Sequence, residues 1–281
     1  MINKLYESML RIRTVEEIII REYPEQKIKC PVHLCIGQEV IPSAISLFLN
    51  DNDYIVSNHR CHGHVIAKGL DLVSFFAELY GKKSGCTGGR GGSMHLCDMS
   101  KGIVGTSAIV GGGLPIATGL AYAQKIKNTG NIVVVYFGDG AIDEGVFWES
   151  INFADLKRLP IIFVYEDNGI GSNSETKERH RYNNLLNYLP DTFEAASHFE
   201  NQSPENILKR MSYTRKGGFP KLFHFETHRF MEHVGVNYSN RYTEEQRNKL
   251  DLNNYIKLPQ SKINSIKNEV ETAWKTAKEL E

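Results

Sequence analysis

What the chain has little of narrows it first. It has five cysteines, Cys30, Cys35, Cys61, Cys86 and Cys97, an odd number with no CxxC spacing. No disulfide framework is written into that pattern, and the thiols read as reduced in a cytoplasmic protein. Neither sign of charge is in excess, since Lys plus Arg and Asp plus Glu each number 33. Nucleic acid and anionic membrane surfaces are therefore poor partners, and small-molecule chemistry fits better. The N-terminus carries Lys4, Glu7, Arg11 and Arg13 among its apolar residues, which reads as neither a signal peptide nor a membrane span. With no transit peptide before the first helix, a bacterial cytoplasmic location is expected. Internal repeats, low-complexity segments and obvious linkers are missing too, so the 281 residues are expected to form one large α/β domain over 1–281 that ends in a C-terminal helical extension.

The richest stretch runs from Asn131 to Asn168. Ile132 to Phe137 is an unbroken apolar run rich in valine, the pattern of a strand buried on both faces, and it stops at Gly138-Asp139-Gly140. Ile142, Val146, Trp148, Ile151, Phe153, Ala154 and Leu156 then recur at helical spacing until Pro160, predicting a helix of about four turns. Ile161 to Tyr165 supplies a second buried strand, ending at Glu166-Asp167-Asn168. Strand, helix and strand predict a parallel βαβ unit with Asp139 and Asn168 side by side at one sheet edge. A carboxylate and a carboxamide oxygen there suit Mg²⁺ with room for diphosphate oxygens. The flanking glycines let phosphate approach, and the N–H groups of Gly140 and Ala141, opening the predicted helix, are placed to face it. Neither GxGxxG at this turn nor a GK[ST] ending to the glycine-rich loop occurs, so nicotinamide dinucleotide and nucleotide triphosphate sites are both disfavoured.

The stretch GDGAIDEGVFWESINFADLKRLPIIFVYEDN resembles the thiamine diphosphate motif of the alpha subunits of 2-oxo acid dehydrogenases, the decarboxylating component of pyruvate, branched-chain and acetoin complexes. Four further blocks occur in that family's order: HLCIGQE, HRCHG, GGRGGSMH and SAIVGGGLP. The resemblance implies an α/β thiamine diphosphate-binding fold, a parallel sheet with helices on both faces. It also implies thiamine diphosphate and Mg²⁺ as cofactors. Asp139, Asn168 and the carbonyl of Ile170 would hold the metal, and Arg60, His233, Gly140, Ala141 and the main chain near Val110 the cofactor. His33, His62 and His233 would serve substrate and intermediates. His59 stands where the family's YRxHG block has tyrosine, leaving an imidazole N–H as a substitute donor for the diphosphate. The histidines of SNHRCHGH also suit a zinc site by spacing alone, but the family block around them favours the first reading.

Other departures are Ala108 for glycine, Arg90 for lysine beside His95 in the glycine-rich loop, His228 and Val234 around His233, and a segment 172–218 without the VDG sequence that opens the family's next strand and helix. In the family the aminopyrimidine end of the cofactor, with its activating glutamate, belongs to a separate beta subunit. The resemblance therefore implies an α₂β₂ heterotetramer, inactive without the partner, that decarboxylates a 2-oxo acid and passes the acyl group to lipoamide on a lipoyl acyltransferase. Two other readings use the same residues: a transketolase-like or acyl-ligating enzyme of bacterial sugar biosynthesis, and a non-catalytic partner of the same fold.

Overall fold

The structure is a computed structural model and describes residues 1–179, 185–190, 193–198 and 203–280. Parts of the segment that lacks VDG (180–184, 191–192 and 199–202) thus lie outside the described residues. The helices in chain order are α1 (Ile2–Glu22), α2 (Val40–Ser46), α3 (His62–Lys68), α4 (Leu72–Leu79), α5 (Gly113–Ile126), α6 (Gly145–Leu156), α7 (Thr176–Arg179), α8 (Pro204–Met211), α9 (Glu244–Lys249) and α10 (Gln260–Glu279). The strands are β1 (Tyr54–Ser57), β2 (Ile103–Thr106), β3 (Val133–Gly138), β4 (Ile161–Asp167), β5 (Glu194–His198) and β6 (Lys221–Glu226).

The valine-rich run becomes β3 because its neighbours cover both faces. The strands form one sheet in the order β2-β1-β3-β4-β6-β5, and every adjacent pair is parallel. Alternate residues feed two cores. Val134, Tyr136, Ile162 and Val164 join the apolar face of α1 on one side, while Val133, Val135, Phe137, Ile161 and Phe163 join Leu114, Phe147 and Ile151 on the other. Each such side chain taken fully out of water contributes roughly 1.5–3 kcal/mol before entropy is charged against it. The expected α/β fold, a parallel sheet with helices on both faces, is the fold observed.

Local sequence accounts for several element ends. α1 ends at Glu22, where Pro24 follows in a short 3-10 turn. Thr243 and Gln246 make the reciprocal capping box that opens α9. α10 is fixed by Ile266 and Val270 in the core and by the Trp274 indole N–H donating to the Tyr80 hydroxyl at 2.9 Å. One expectation is corrected at the Gly138-Asp139-Gly140 turn. A 3-10 turn over Asp139–Asp143 follows β3, and an extended Glu144 separates it from α6. The N–H groups of Gly140 and Ala141 therefore belong to that turn and not to the start of the long helix. Phe153 and Leu156, which fall in the helical apolar pattern, are exposed, as are Ile116 and Ile126 of α5. Tyr122 and Phe153 meet edge to face across these two helices, with ring centroids 5.6 Å apart.

Candidate active site

Register decides where the chemistry lies. Gly138 pairs with Glu166 across β3 and β4, so Asp139 and Asn168 emerge beside one another. They line a cavity of about 290 Å³ shared with His59, Arg60, Val110, Gly140, Ala141, Ile170 and His233. Sequence-distant loops after β1, β3, β4 and β6 thus converge at the carboxyl edge of the sheet, as expected for ligand sites in open parallel sheets. Val110 faces Gly140: a Cβ added at Gly140 would lie 3.6 Å from a Val110 methyl.

At the metal end the donors are hard oxygens. Asp139 is buried and its Oδ2 accepts from the Thr176 hydroxyl at 3.1 Å. The same oxygen is paired with the guanidinium of Arg179, which also pairs with Asp143. Asn168 Oδ1 accepts from the Ile170 N–H at 3.3 Å, and the Asn168 carbonyl accepts from Arg241 at 3.0 Å. A buried carboxylate that already attracts a cationic side chain, beside an amide oxygen and the Ile170 peptide, is a donor set that fits a small divalent cation.

At the other end three imidazoles meet. Ring centroids of His33 and His59 are 4.8 Å apart, those of His33 and His233 5.2 Å, and those of His59 and His233 5.4 Å. The chain enforces this meeting. Gly235 N–H donates to the Val32 carbonyl at 2.9 Å, and Arg60 reaches between the two segments, donating to the carbonyl of Leu34 at 2.6 Å and of His233 at 2.9 Å. Arg60 carries five N–H groups, so it clamps two backbones as well as lining the cavity. Burial first, and then repulsion from Arg229, lowers its pKa to about 10. Burial, with His59 and Arg60 next, lowers His33 to about 3. Burial, with Arg60 and His233 next, likewise takes His59 to about 3. His233 is lowered by burial, then Arg60 and Arg229. All three rings are therefore neutral near pH 7, each able to donate from one nitrogen and accept on the other.

His62, expected to serve substrate, is placed elsewhere. Its ring is fully enclosed between α1 and the glycine-rich loop, with Nδ1 2.6 Å from Glu16 and Nε2 2.7 Å from the Ser93 hydroxyl, and it does not line the cavity. The other oxygen of Glu16 accepts from the Cys35 N–H at 2.9 Å. His62 thus braces the peptide segment that carries His33. Substituting His62→Phe strands the Glu16 carboxylate and is expected to cost about 2–4 kcal/mol of stability. Thermal unfolding of the purified variant measures it, and an unchanged melting temperature would count against the brace.

The glycine-rich loop is also differently employed. None of residues 81–96 lines the cavity, and His95 is exposed. Instead the loop wraps the buried carboxylate of Glu78, which accepts from the backbone N–H groups of Thr87 (2.8 Å), Gly89 (2.9 Å), Gly91 (2.7 Å) and Gly92 (3.1 Å). Glycine is needed here for space: a Cβ on Gly85 would sit 2.4 Å from Glu78 Oε2, and one on Gly91 2.0 Å from the His95 carbonyl oxygen. The anion that this nest of N–H groups holds is internal.

Four residues escaped the sequence reading. Glu16 and Glu78 sit on buried helical faces, an acid among apolar neighbours being the signal available. Arg229 lines the cavity and is itself 4% exposed; its place between His228 and His233 in the sequence is the signal available. Arg179 lies in a polar stretch with no pattern to single it out.

A parallel α/β sheet with a hard-oxygen, cationic cavity at its strand ends is an arrangement suited to an anionic ligand. Comparison with known proteins narrows this. The family described as "Dehydrogenase E1 component" matches residues 7–188. The alpha subunit of acetoin:2,6-dichlorophenolindophenol oxidoreductase from Bacillus subtilis is 35% identical over 252 residues, which cover 86% of this chain and 74% of that one. Pyruvate dehydrogenase E1 component subunit alpha from Rickettsia typhi is 33% identical over 234 residues, covering 82% and 72%. This chain belongs to the dehydrogenase E1 component family, on the side of its alpha subunits. Among solved structures, transketolase from Campylobacter jejuni superposes with a TM-score of 0.64 at 19% identity, covering 99% of this chain. The chain spans 47% of the transketolase length, and at that identity the likeness concerns the fold.

Proposed function

We propose that this chain is the diphosphate-binding alpha subunit of a thiamine diphosphate and Mg²⁺ dependent 2-oxo acid dehydrogenase. The observation that carries the reading is the convergence of Asp139, Asn168, Ile170, Arg60, His59 and His233 on one cavity, with the His33 ring, itself outside the cavity lining, packed against those of His59 and His233. Asp139, Asn168 and the Ile170 carbonyl would hold the metal, and Gly140, Ala141, Val110, Arg60, His59 and His233 would hold the cofactor's diphosphate. Bound there, thiamine diphosphate supplies the electron sink for decarboxylation of a 2-oxo acid.

The chain's own part is binding and proton handling. His33 and His233 keep their Nδ1 atoms buried without a hydrogen-bond partner in the structure. Neutral imidazoles held that way are suited to receive a ligand and to give or take a proton at a reacting oxygen. His62 is reassigned from that role to bracing His33.

A partner is supported by the apolar surface. Ile109, Val110 and Ile116 are 70%, 48% and 56% exposed, and Leu156 is 70% exposed. They start at the cavity mouth and run along α5 and α6, a placement that suits a beta subunit closing over the cofactor in an α₂β₂ assembly. Among the described residues no helix is long and apolar enough to cross a membrane; the reading proposed is a cytoplasmic enzyme that passes its acyl group to a lipoyl acyltransferase. The test is turnover. Co-expressed with a beta-type partner and given thiamine diphosphate and Mg²⁺, the pair is expected to release CO₂ from a 2-oxo acid and to reduce lipoamide. CO₂ release coupled to condensation on an aldehyde or ketose, without lipoamide reduction, would instead indicate a carbon–carbon ligase. Cofactor binding with no CO₂ release would indicate a non-catalytic subunit.

A further inference from the structure

Among the described residues of the cavity, Arg60 spends its guanidinium on two backbone carbonyls, whereas Arg229 has no such use. Its side chain is almost wholly buried. Its Nε has no hydrogen-bond partner, and among the described residues no carboxylate forms an ion pair with it. The backbone on either side is pinned. Thr227 N–H donates to the Asp167 carbonyl at 2.7 Å, Phe230 N–H to that of Ile36 at 3.4 Å, and Ser239 N–H to that of Phe230 at 2.8 Å. The guanidinium is therefore held at the cavity wall by the fold, against the cost of keeping a cation out of water without a counter-ion.

Two kinds of ligand compete for this region. The ligand nitrogens of His33, His59 and His233 all lie within 4.8 Å of one another, the outline of a metal triad. A cation there would face both Arg60 and Arg229, whose charges already oppose protonation of His59 and His233. The same field favours an anion. Asp139 acts on Arg229 as an attractive charge, and Arg241 as a repulsive one. Arg241 itself donates to the Asn168 carbonyl. Arg229 lines the same cavity as His59 and His233 and as Asp139 and Asn168. Its planar fork suits bidentate recognition of phosphate oxygens.

We propose that Arg229 is a diphosphate-binding residue, a second guanidinium acting with Arg60 on an organic diphosphate, and that the ligand-free chain bears an instability at this position which the ligand relieves. That the diphosphate is thiamine diphosphate rests on the function proposed above; that Arg229 awaits a diphosphate does not.

The test is thermal unfolding of the full chain with Mg²⁺, in three conditions: alone, with inorganic pyrophosphate and with thiamine diphosphate. Wild type is expected to be raised by both ligands. R229Q is expected to melt, ligand-free, at or above the wild-type temperature, because an unpaired buried charge is gone. It should need at least tenfold more of either ligand for the same rise, and R229K, which keeps charge without the fork, should fall between. A ligand-free R229Q that melts several degrees below wild type would assign Arg229 to structure and overturn the proposal. So would equal protection of R229Q and wild type, which leaves the cofactor reading standing. Wild type protected by pyrophosphate but not by thiamine diphosphate, with R229Q losing that protection, would keep the diphosphate role and remove the cofactor assignment. Protection of wild type by neither would remove both.

Discussion

Replacing Asp139 by alanine is expected to lower affinity for thiamine diphosphate and Mg²⁺ by on the order of 100-fold or more, measured by titration calorimetry on the partnered protein. Outer partners of a metal ligand are already worth about 10–100-fold, and Asp139 is the only carboxylate among the three proposed metal donors. Its loss should cost little stability. Arg179, which pairs with Asp139, keeps Asp143 as a second carboxylate, so its guanidinium is not left without a counter-ion. The melting temperature of the ligand-free variant should therefore stay within a few degrees of wild type while binding collapses. A fall in both together would mean that Asp139 serves the fold first. Asp139→Asn refines the result: it keeps the shape and one oxygen but removes the charge, and should recover only part of the affinity. Undiminished cofactor affinity in Asp139→Ala would end the proposed metal site.

That site was largely legible in the chain because its parts are local. A valine-rich strand, a Gly-Asp-Gly turn, an amphipathic helix and a second strand lie within 40 residues, and parallel pairing alone then puts Asp139 beside Asn168. The burial of His33 beside His233 is different. It depends on the bridge between segments 32–36 and 230–235, almost 200 residues apart, and only the family blocks hinted at it. His62 shows how a local match misleads. It occupies the expected place in HRCHG, yet its first residue of α3 turns into the protein, where Glu16 of α1 meets it. Periodicity places Glu16 on a helix, but nothing in spacing says which histidine faces it. The apolar pattern that predicts the helix also includes Phe153 and Leu156, which are exposed, and spacing does not say what covers them. Periodicity reports that a face is apolar, and a subunit partner is as good a cover as the chain's own sheet.

Glu78 carries the other large expected effect, this time on the fold. Glu78→Gln places one acceptor oxygen where two served four backbone N–H groups, and turns an N–H₂ group toward donors. About two donors are left unsatisfied at roughly 1–3 kcal/mol each, so a loss of about 3 kcal/mol is expected. For a chain of this size that corresponds to a melting temperature lower by about 6–12 °C. The disturbance should spread to the cavity wall, because Ser93 in the same loop bonds His62, and His62 braces Glu16 and the segment bearing His33. Acid provides an independent check. Burial by itself raises the Glu78 carboxyl, but hydrogen bonds from Thr87 and then from the loop's N–H groups hold it below its ordinary value. A carboxylate depressed in the folded state stabilises fully above its unfolded pKa of about 4.3, and that contribution disappears as pH falls through the folded value. The gap in urea midpoint between wild type and Glu78→Gln should therefore be constant from about pH 7 to pH 5 and shrink below about pH 4. A gap that stays the same into acid would show that the cost comes from shape and not from the charge the loop encloses.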